Sequence, residues 1–218
     1  MIETGIVSLT RDADPETVTS TLTFADSVVR VGVDDKTEVQ AGLTGYARAR
    51  SRDRASGEIT REGGVGDAYL AVRHGLAGPN GPAAIEGFVT LPTGRSPAGA
   101  GDWGAGMLLS FNHDLSHGFQ LALTPELDAA VNASGSGRHL AFGGVAGVSH
   151  ALGKALSATG EISAFEDRDP SGHAFDARVA GSLAWQVAKR VQVDFENDLG
   201  VTHAAPRESF FLGLAVRL

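Results

Sequence analysis

Arg190-Val191-Gln192-Val193-Asp194-Phe195-Glu196-Asn197-Asp198-Leu199 is the stretch that decides the fold of this chain. Its odd positions from Val191 are Val, Val, Phe, Asn and Leu; its even positions after Arg190 are Gln, Asp, Glu and Asp. A period of two marks a β-strand whose two faces meet different surroundings. The last residues repeat the pattern. Phe210, Leu212, Leu214, Val216 and Leu218 share one face, against Phe211, Gly213, Ala215 and Arg217. Upstream, Phe175, Ala177, Val179, Leu183, Trp185 and Val187 alternate with Asp176, Arg178, Ser182 and Gln186. In a soluble sandwich the apolar face would be a shared core and the charged face would meet solvent. In an outer-membrane barrel the apolar face meets lipid and the charged face an enclosed interior.

Working outward, the same alternation predicts strands over most of the chain. Residues 17–33 form one long strand that slips parity, reconciled by a bulge near Ala25-Asp26. Residues 48–64 are polar, rich in Arg and Gly, and read as a long loop. Residues 92–101 form a Gly/Pro-rich loop, and 166–172 an acidic one. Ala77-Gly78-Pro79-Asn80-Gly81 is a short turn. The result is about twelve strands joined alternately by tight turns and wider loops, as in bacterial outer-membrane barrels with both termini on the periplasmic side. The apolar runs cover about 9–11 residues, the length a tilted strand needs to cross a bilayer. The expected fold is all-β: one antiparallel up-and-down transmembrane β-barrel spanning residues 1–218 as a single domain. The soluble alternatives, a sandwich or a solenoid, fit less well. No internal repeat is evident, and the charged face recurs on nearly every strand.

Composition narrows the function classes. Eighteen basic against 26 acidic residues give a net charge of −8, which argues against a nucleic-acid partner. The chain has no cysteine, so disulfides and thiolate chemistry are excluded. No apolar run approaches the roughly 18 residues of a transmembrane helix. Met1-Ile2-Glu3-Thr4 carries no signal-peptide pattern, so an exported protein would be represented here in its mature form.

Three ordered motifs carry a family resemblance. They are Val29-Arg30-Val31-Gly32-Val33-Asp34-Asp35-Lys36-Thr37-Glu38, then Gly64-Val65-Gly66-Asp67, then Leu91-Pro92-Thr93-Gly94. Over most of the chain this resembles the transporter-like outer-membrane family described as "putative MetA-pathway of phenol degradation". The resemblance implies a bacterial outer-membrane β-barrel and says little about substrate. The chain departs from a usual ending of such barrels, a terminal aromatic residue, by closing on Leu218.

The candidate interior wall holds Arg30, Arg73, Arg178 and Arg217 against Asp67, Glu86, Glu126, Asp128, Glu161, Asp176, Asp194, Glu196 and Asp198. An acid-rich lining would favour cations or polyhydroxylated and amine-bearing solutes. The same side chains could instead pair and plug a narrow barrel, because twelve strands fall between the filled eight and the open sixteen. Arg30, Asp67 and Arg73 are expected to pair across adjacent strands. Arg48, Arg50, Arg52, Arg54 and Arg61, on or beside the long loop, could bind lipopolysaccharide phosphates or be solvated. Trp103, Trp185, Phe119, Phe175, Phe195 and Phe210 fit aromatic girdles at the bilayer interfaces.

A nucleophile search finds only the adjacent pairs Ser116-His117 and Ser149-His150, whose members point to opposite faces on a strand. His113, His117 and His150 share a rim without defining a metal site. The expected protein is therefore no enzyme and needs no cofactor or metal. Its partners are the lipid bilayer, lipopolysaccharide and an unidentified small solute that passes through the lumen. The alternatives are a closed structural or docking barrel and, more weakly, a lipid-modifying enzyme at the rim.

Overall fold

A computed structural model describes residues 1–78 and 81–218. Pro79 and Asn80 of the turn expected at 77–81 lie outside the described residues. The chain is an antiparallel up-and-down barrel of twelve strands, two of them interrupted. In order these are β1 (Ile2–Ala13), β2 (Thr17–Gly32), β3 (Thr37–Leu43 continued by Tyr46–Asp53) and β4 (Ile59–Val65 continued by Ala68–Gly75). Then follow β5 (Ala83–Leu91), β6 (Gly104–Asp114), β7 (Phe119–Val131), β8 (Arg138–Ala151), β9 (Leu156–Asp169), β10 (Gly172–Ala188), β11 (Val191–Gly200) and β12 (Glu208–Val216). Each strand pairs with the next, and β1 pairs with both β2 and β12, for example Leu9 with Leu22 and with Phe210. The ring is closed, the condition for burying backbone polar groups in lipid; among the described residues only the outer stretch Ile59–Val65, paired on one side with Tyr46–Asp53, leaves an edge without a strand partner.

Greasy side chains point out. Ile162, Trp185, Phe175, Leu183 and Phe195 are all exposed, and so are Trp103, Phe119 and Phe210. Among the described residues the buried ones are small or polar, Ala47, Ala71, Ala84, Gln40 and Glu86 among them. That inverts the soluble arrangement, in which the large apolar side chains would be the buried ones.

The long loop expected at 48–64 is a hairpin instead. Arg48, Arg50 and Arg52 lie on β3 and Arg61 on β4, joined by residues 54–58. The alternation is present, but reversed in chemistry: Ala47, Ala49 and Ser51 face inward and the arginines outward. The acidic loop expected at 166–172 shrinks to the two-residue turn 170–171, because β9 runs to Asp169 and β10 begins at Gly172.

Tight turns are pinned by one device. Asp14 accepts from the Thr17 and Glu16 N–H groups at 2.6 and 2.7 Å. Asp34 does the same with Lys36 and Thr37, and Asp53 with Ser56. An Asx side chain satisfying backbone donors further along the turn is a standard turn former. These bonds, led by the Thr17, Lys36 and Ser56 N–H groups respectively, hold the three carboxyls below their ordinary range.

A seam crosses the first four strands at one height. The parity slip expected near Ala25-Asp26 is there, with Ala25 at φ 56°, but as a break and not as a bulge: the registers on both sides of β2 run through it unshifted. Its neighbours share it: Ile6 is the extra residue on β1, Thr44-Gly45 interrupts β3, and Gly66-Asp67 interrupts β4. On every one of these strands the inward parity changes there. Glu3 and Gly5 give way to Ser8 and Thr10; Thr19, Thr21 and Thr23 give way to Asp26, Val28 and Arg30. Gly45 has no room for a side chain against the Ala25 carbonyl, where a Cβ would sit 2.7 Å from the oxygen.

Candidate functional site

The interior divides into two sectors. On β1 to β6 the inward polar groups are knitted together. Arg30 bonds Glu3 at 2.8 Å and Glu38 at 3.4 Å. Gln40, 2% exposed, donates to Glu38 at 2.9 Å and to Glu86 at 2.8 Å. Tyr69 donates its hydroxyl to the other Glu86 oxygen at 2.5 Å. Arg73 donates to Ser110 at 2.8 Å, reaching past β5 to β6. Every one of these side chains shares its burial with a partner, so the sector is a rigid polar lattice.

The β7 to β11 sector is different. Glu126 and Asp128 on β7, Glu161 on β9, and Asp194, Glu196 and Asp198 on β11 face inward on alternate strands. Arg178 on β10 stands among them and is engaged by Asp176, two residues away on its own strand, and His139, inward on β8, is engaged by Asp167 and Asp169. Among the described residues, Glu126, Asp128, Glu161, Asp194, Glu196 and Asp198 form no ion pair. Small residues stand beside them in register: Gly143 by Glu126, Ala141 by Asp128, Gly147 by Glu161 and Gly213 by Asp194. On their other sides the neighbours are mixed, with Leu108 by Glu126, Phe211 by Glu196 and Gly106 by Asp128. A cavity of about 420 Å³ adjoins this sector, among Glu3, Asp26, Asp194, Glu196 and Phe211.

Two residues expected on the wall are elsewhere, and a third pairs differently. Arg217 follows the end of β12, is exposed at the rim holding both termini, and donates its N–H to the Arg190 carbonyl at 2.9 Å. Asp67 sits in the β4 break and not on a strand. Its carboxylate accepts the Gly94 N–H at 2.8 Å and the Ala100 N–H at 2.7 Å. So Arg30 pairs with carboxylates on both adjacent strands, whereas Arg73 bonds a serine and Asp67 bonds a loop backbone.

That loop, residues 92–103, folds inward over β4. Gly64, which faces inward opposite the buried Ala47, lies under the main chain of Arg95 and Ser96; a Cβ there would sit 2.6 Å from both carbonyl oxygens. Arg95 N–H bonds the Val65 carbonyl at 2.9 Å and Ser96 bonds Glu62 at 3.0 Å. The glycines and aspartate of Gly64-Val65-Gly66-Asp67 thus form the seat for Leu91-Pro92-Thr93-Gly94, and the loop narrows one mouth. Its far end is held by Arg138, which bonds Asp102 at 3.0 Å and stacks over Trp103 at 3.5 Å. At the same mouth Asp169 accepts from the Ser171 hydroxyl and the Ala133 N–H, which pull its pKa down to about 2. Sequence reasoning missed the loop's docking because glycine spacing shows where backbone can approach, not which backbone arrives.

The serine–histidine pairs assemble nothing. Ser149 and His150 occupy opposite faces of β8, with His150 stacked on Phe119 at 4.4 Å between ring centroids. Ser116 and His117 form a single 3₁₀ turn at the rim.

Comparison with known proteins supplies the remaining facts. Residues 2–218 match the family described as "Putative MetA-pathway of phenol degradation". No curated protein sequence matches the chain. Among solved structures, the COG4313 outer membrane channel from Pseudomonas putida F1 superposes with a TM-score of 0.75 at 11% identity, covering 99% of this chain and 94% of that one. The NanC porin superposes at 0.58 with 10% identity over 100% of both chains. The CymD monoaromatic hydrocarbon channel superposes at 0.57 with 11% identity over 100% of this chain and 88% of that one. At identities this low the superpositions show a shared barrel fold and nothing more.

Proposed function

From its membership of the family described as "Putative MetA-pathway of phenol degradation", to which this chain belongs, we propose a passive outer-membrane channel for small cationic or amine-bearing solutes. The observation that carries this reading is the run of inward carboxylates on β7, β9 and β11 that, among the described residues, form no ion pair. Fixed negative charge lining a low-dielectric lumen concentrates cations and repels anions. Passage needs no covalent step, cofactor or metal. The name of the CymD channel points to monoaromatic hydrocarbons, but the carboxylates favour a solute with a positive charge. The bilayer around the barrel is the outer membrane, with both termini periplasmic and the loop 92–103 at the external mouth, in the lipopolysaccharide leaflet.

The inward loop and the Arg30–Glu38–Gln40–Glu86 lattice favour a second reading, a closed structural barrel. Planar bilayers under a KCl gradient separate the two. The wild-type barrel is expected to pass single-channel current with a reversal potential set by potassium. The triple variant Glu126→Gln, Glu161→Gln, Glu196→Gln is expected to bring the permeability ratio towards unity. Current at background would establish the closed barrel, and anion preference in the wild type would overturn the carboxylate argument.

A further inference from the structure

The outer wall carries a feature that the lumen does not explain. Arg48, Arg50, Arg52 and Arg61 are exposed, and strand pairing puts all four on the lipid-facing side. Arg48 stands opposite the exposed Leu22, and Tyr46, on the same face, opposite the exposed Phe24. One row across four strands reads Arg11, Ser20, Arg50, Arg61. Arg50 and Arg61 are direct cross-strand partners, a like-charge pairing that destabilises a sheet unless an anion lies between. Among the described residues none of these arginines makes an ion pair, and the nearest carboxylate in the row, Glu208, is opposite Arg11.

Below the row the wall is apolar, with Leu9, Leu22 and Phe210 exposed. A groove of about 420 Å³ crosses the row, with Leu9 and Phe210 below, Arg11, Arg50 and Glu208 in the row, and Val18 and Arg52 above. The arginines belong to the half of the barrel that ends in turns 14–16 and 54–58, the half away from the termini. From Tyr46 to Arg50 is four residues, or about 13 Å along the strand. The patch therefore rises from the hydrocarbon band into the headgroup layer.

We propose that this face is a binding site for the bisphosphorylated glycolipid of the outer leaflet, the lipid A part of lipopolysaccharide. The guanidinium forks take the phosphates in bidentate fashion, and the apolar wall below takes acyl chain. The orientation it requires, termini in the periplasm, rests on the outer-membrane reading; the lumen's solute does not enter.

The test uses the purified full-length barrel in a detergent free of lipopolysaccharide. Bisphosphorylated lipid A, its monophosphorylated form and phosphatidylglycerol are titrated separately, with bound lipid counted by native mass spectrometry. Bisphosphorylated lipid A is expected to bind at least tenfold tighter than phosphatidylglycerol, and the monophosphorylated form in between. The variant R48Q/R50Q/R52Q/R61Q is expected to lose that preference. The variant with lysine at the same four positions keeps the charge but not the fork, and is expected to recover only part of it. Heat-modifiable migration on gels verifies that each barrel is closed, and single-channel conductance is expected to be unchanged because none of the four residues faces the lumen. Equal binding of phosphatidylglycerol, or undiminished preference in the folded glutamine variant, overturns the proposal. Loss of current in the wild type would count against the channel alone.

Discussion

Replacing Asp67 by alanine is expected to raise single-channel conductance severalfold and to make the current noisy. The carboxylate accepts two loop N–H groups, from Gly94 and Ala100. Hydrogen bonds to a charged group contribute roughly 1.5–3 kcal/mol each, so both together bias the docked loop by several kcal/mol. What remains over the middle of the loop is weaker: one backbone bond from Arg95, the Ser96–Glu62 contact and the bond from Ala68 N–H to Thr93, with Arg138 still holding the far end at Asp102 and Trp103. A loop so loosened spends much of its time out of the mouth. Arg95 is already exposed, but its main chain is held on Gly64 and Val65; once freed it can extend into a protease cleft, and trypsin is expected to nick the loop in the variant and spare it in the wild type. Asp67→Asn keeps one acceptor oxygen and is expected to fall between. A variant with wild-type conductance and wild-type resistance to trypsin would show that the loop neither depends on Asp67 nor restricts the mouth.

The second large effect tests which solvent the outer face meets. Ile162 is 61% exposed and stands near the middle of β9, flanked in register by Ala146 and Val179. An arginine facing lipid at the midplane of such a barrel costs about 2–4 kcal/mol, falling to about 0–1 near the interfaces. Ile162→Arg is therefore expected to lower the stability of the barrel folded into vesicles by that larger amount. Leu156→Arg, on the same strand at the rim, is expected to cost little. If the outer face met water, both would be surface substitutions worth within about 0.5 kcal/mol. Equal small costs at the two positions in urea titrations would remove the membrane assignment.

The sequence made the strands on β10 to β12 readable because lipid and lumen impose opposite chemistry on alternate residues, as Phe195 and Glu196 show. It misled where that contrast fails. On β3 the outward residues are Arg48, Arg50 and Arg52 and the inward ones Ala47, Ala49 and Ser51. The period of two survives, but a headgroup layer accepts arginine and a mouth filled by a loop accepts only small residues. Read with the usual polarity, the segment looked like a loop. Asp67 misled for another reason. Its acidity fitted an interior wall, but its work is done by partners some thirty residues on, at Gly94 and Ala100, and no local pattern announces them. The carboxylates of β7, β9 and β11 were readable from parity alone. That they lack bases is a statement about neighbouring strands, which needs the register.

The seam through Ile6, Ala25, Gly45 and Gly66 has a consequence for shape. Because the four strands break together, the pairing of each with the next is the same above the line as below it. The line works like one pleat pressed through four strips at once: no strip comes out longer than its neighbour, yet each turns over the set of residues it shows to the inside, and the flap that Asp67 holds is fastened on that fold.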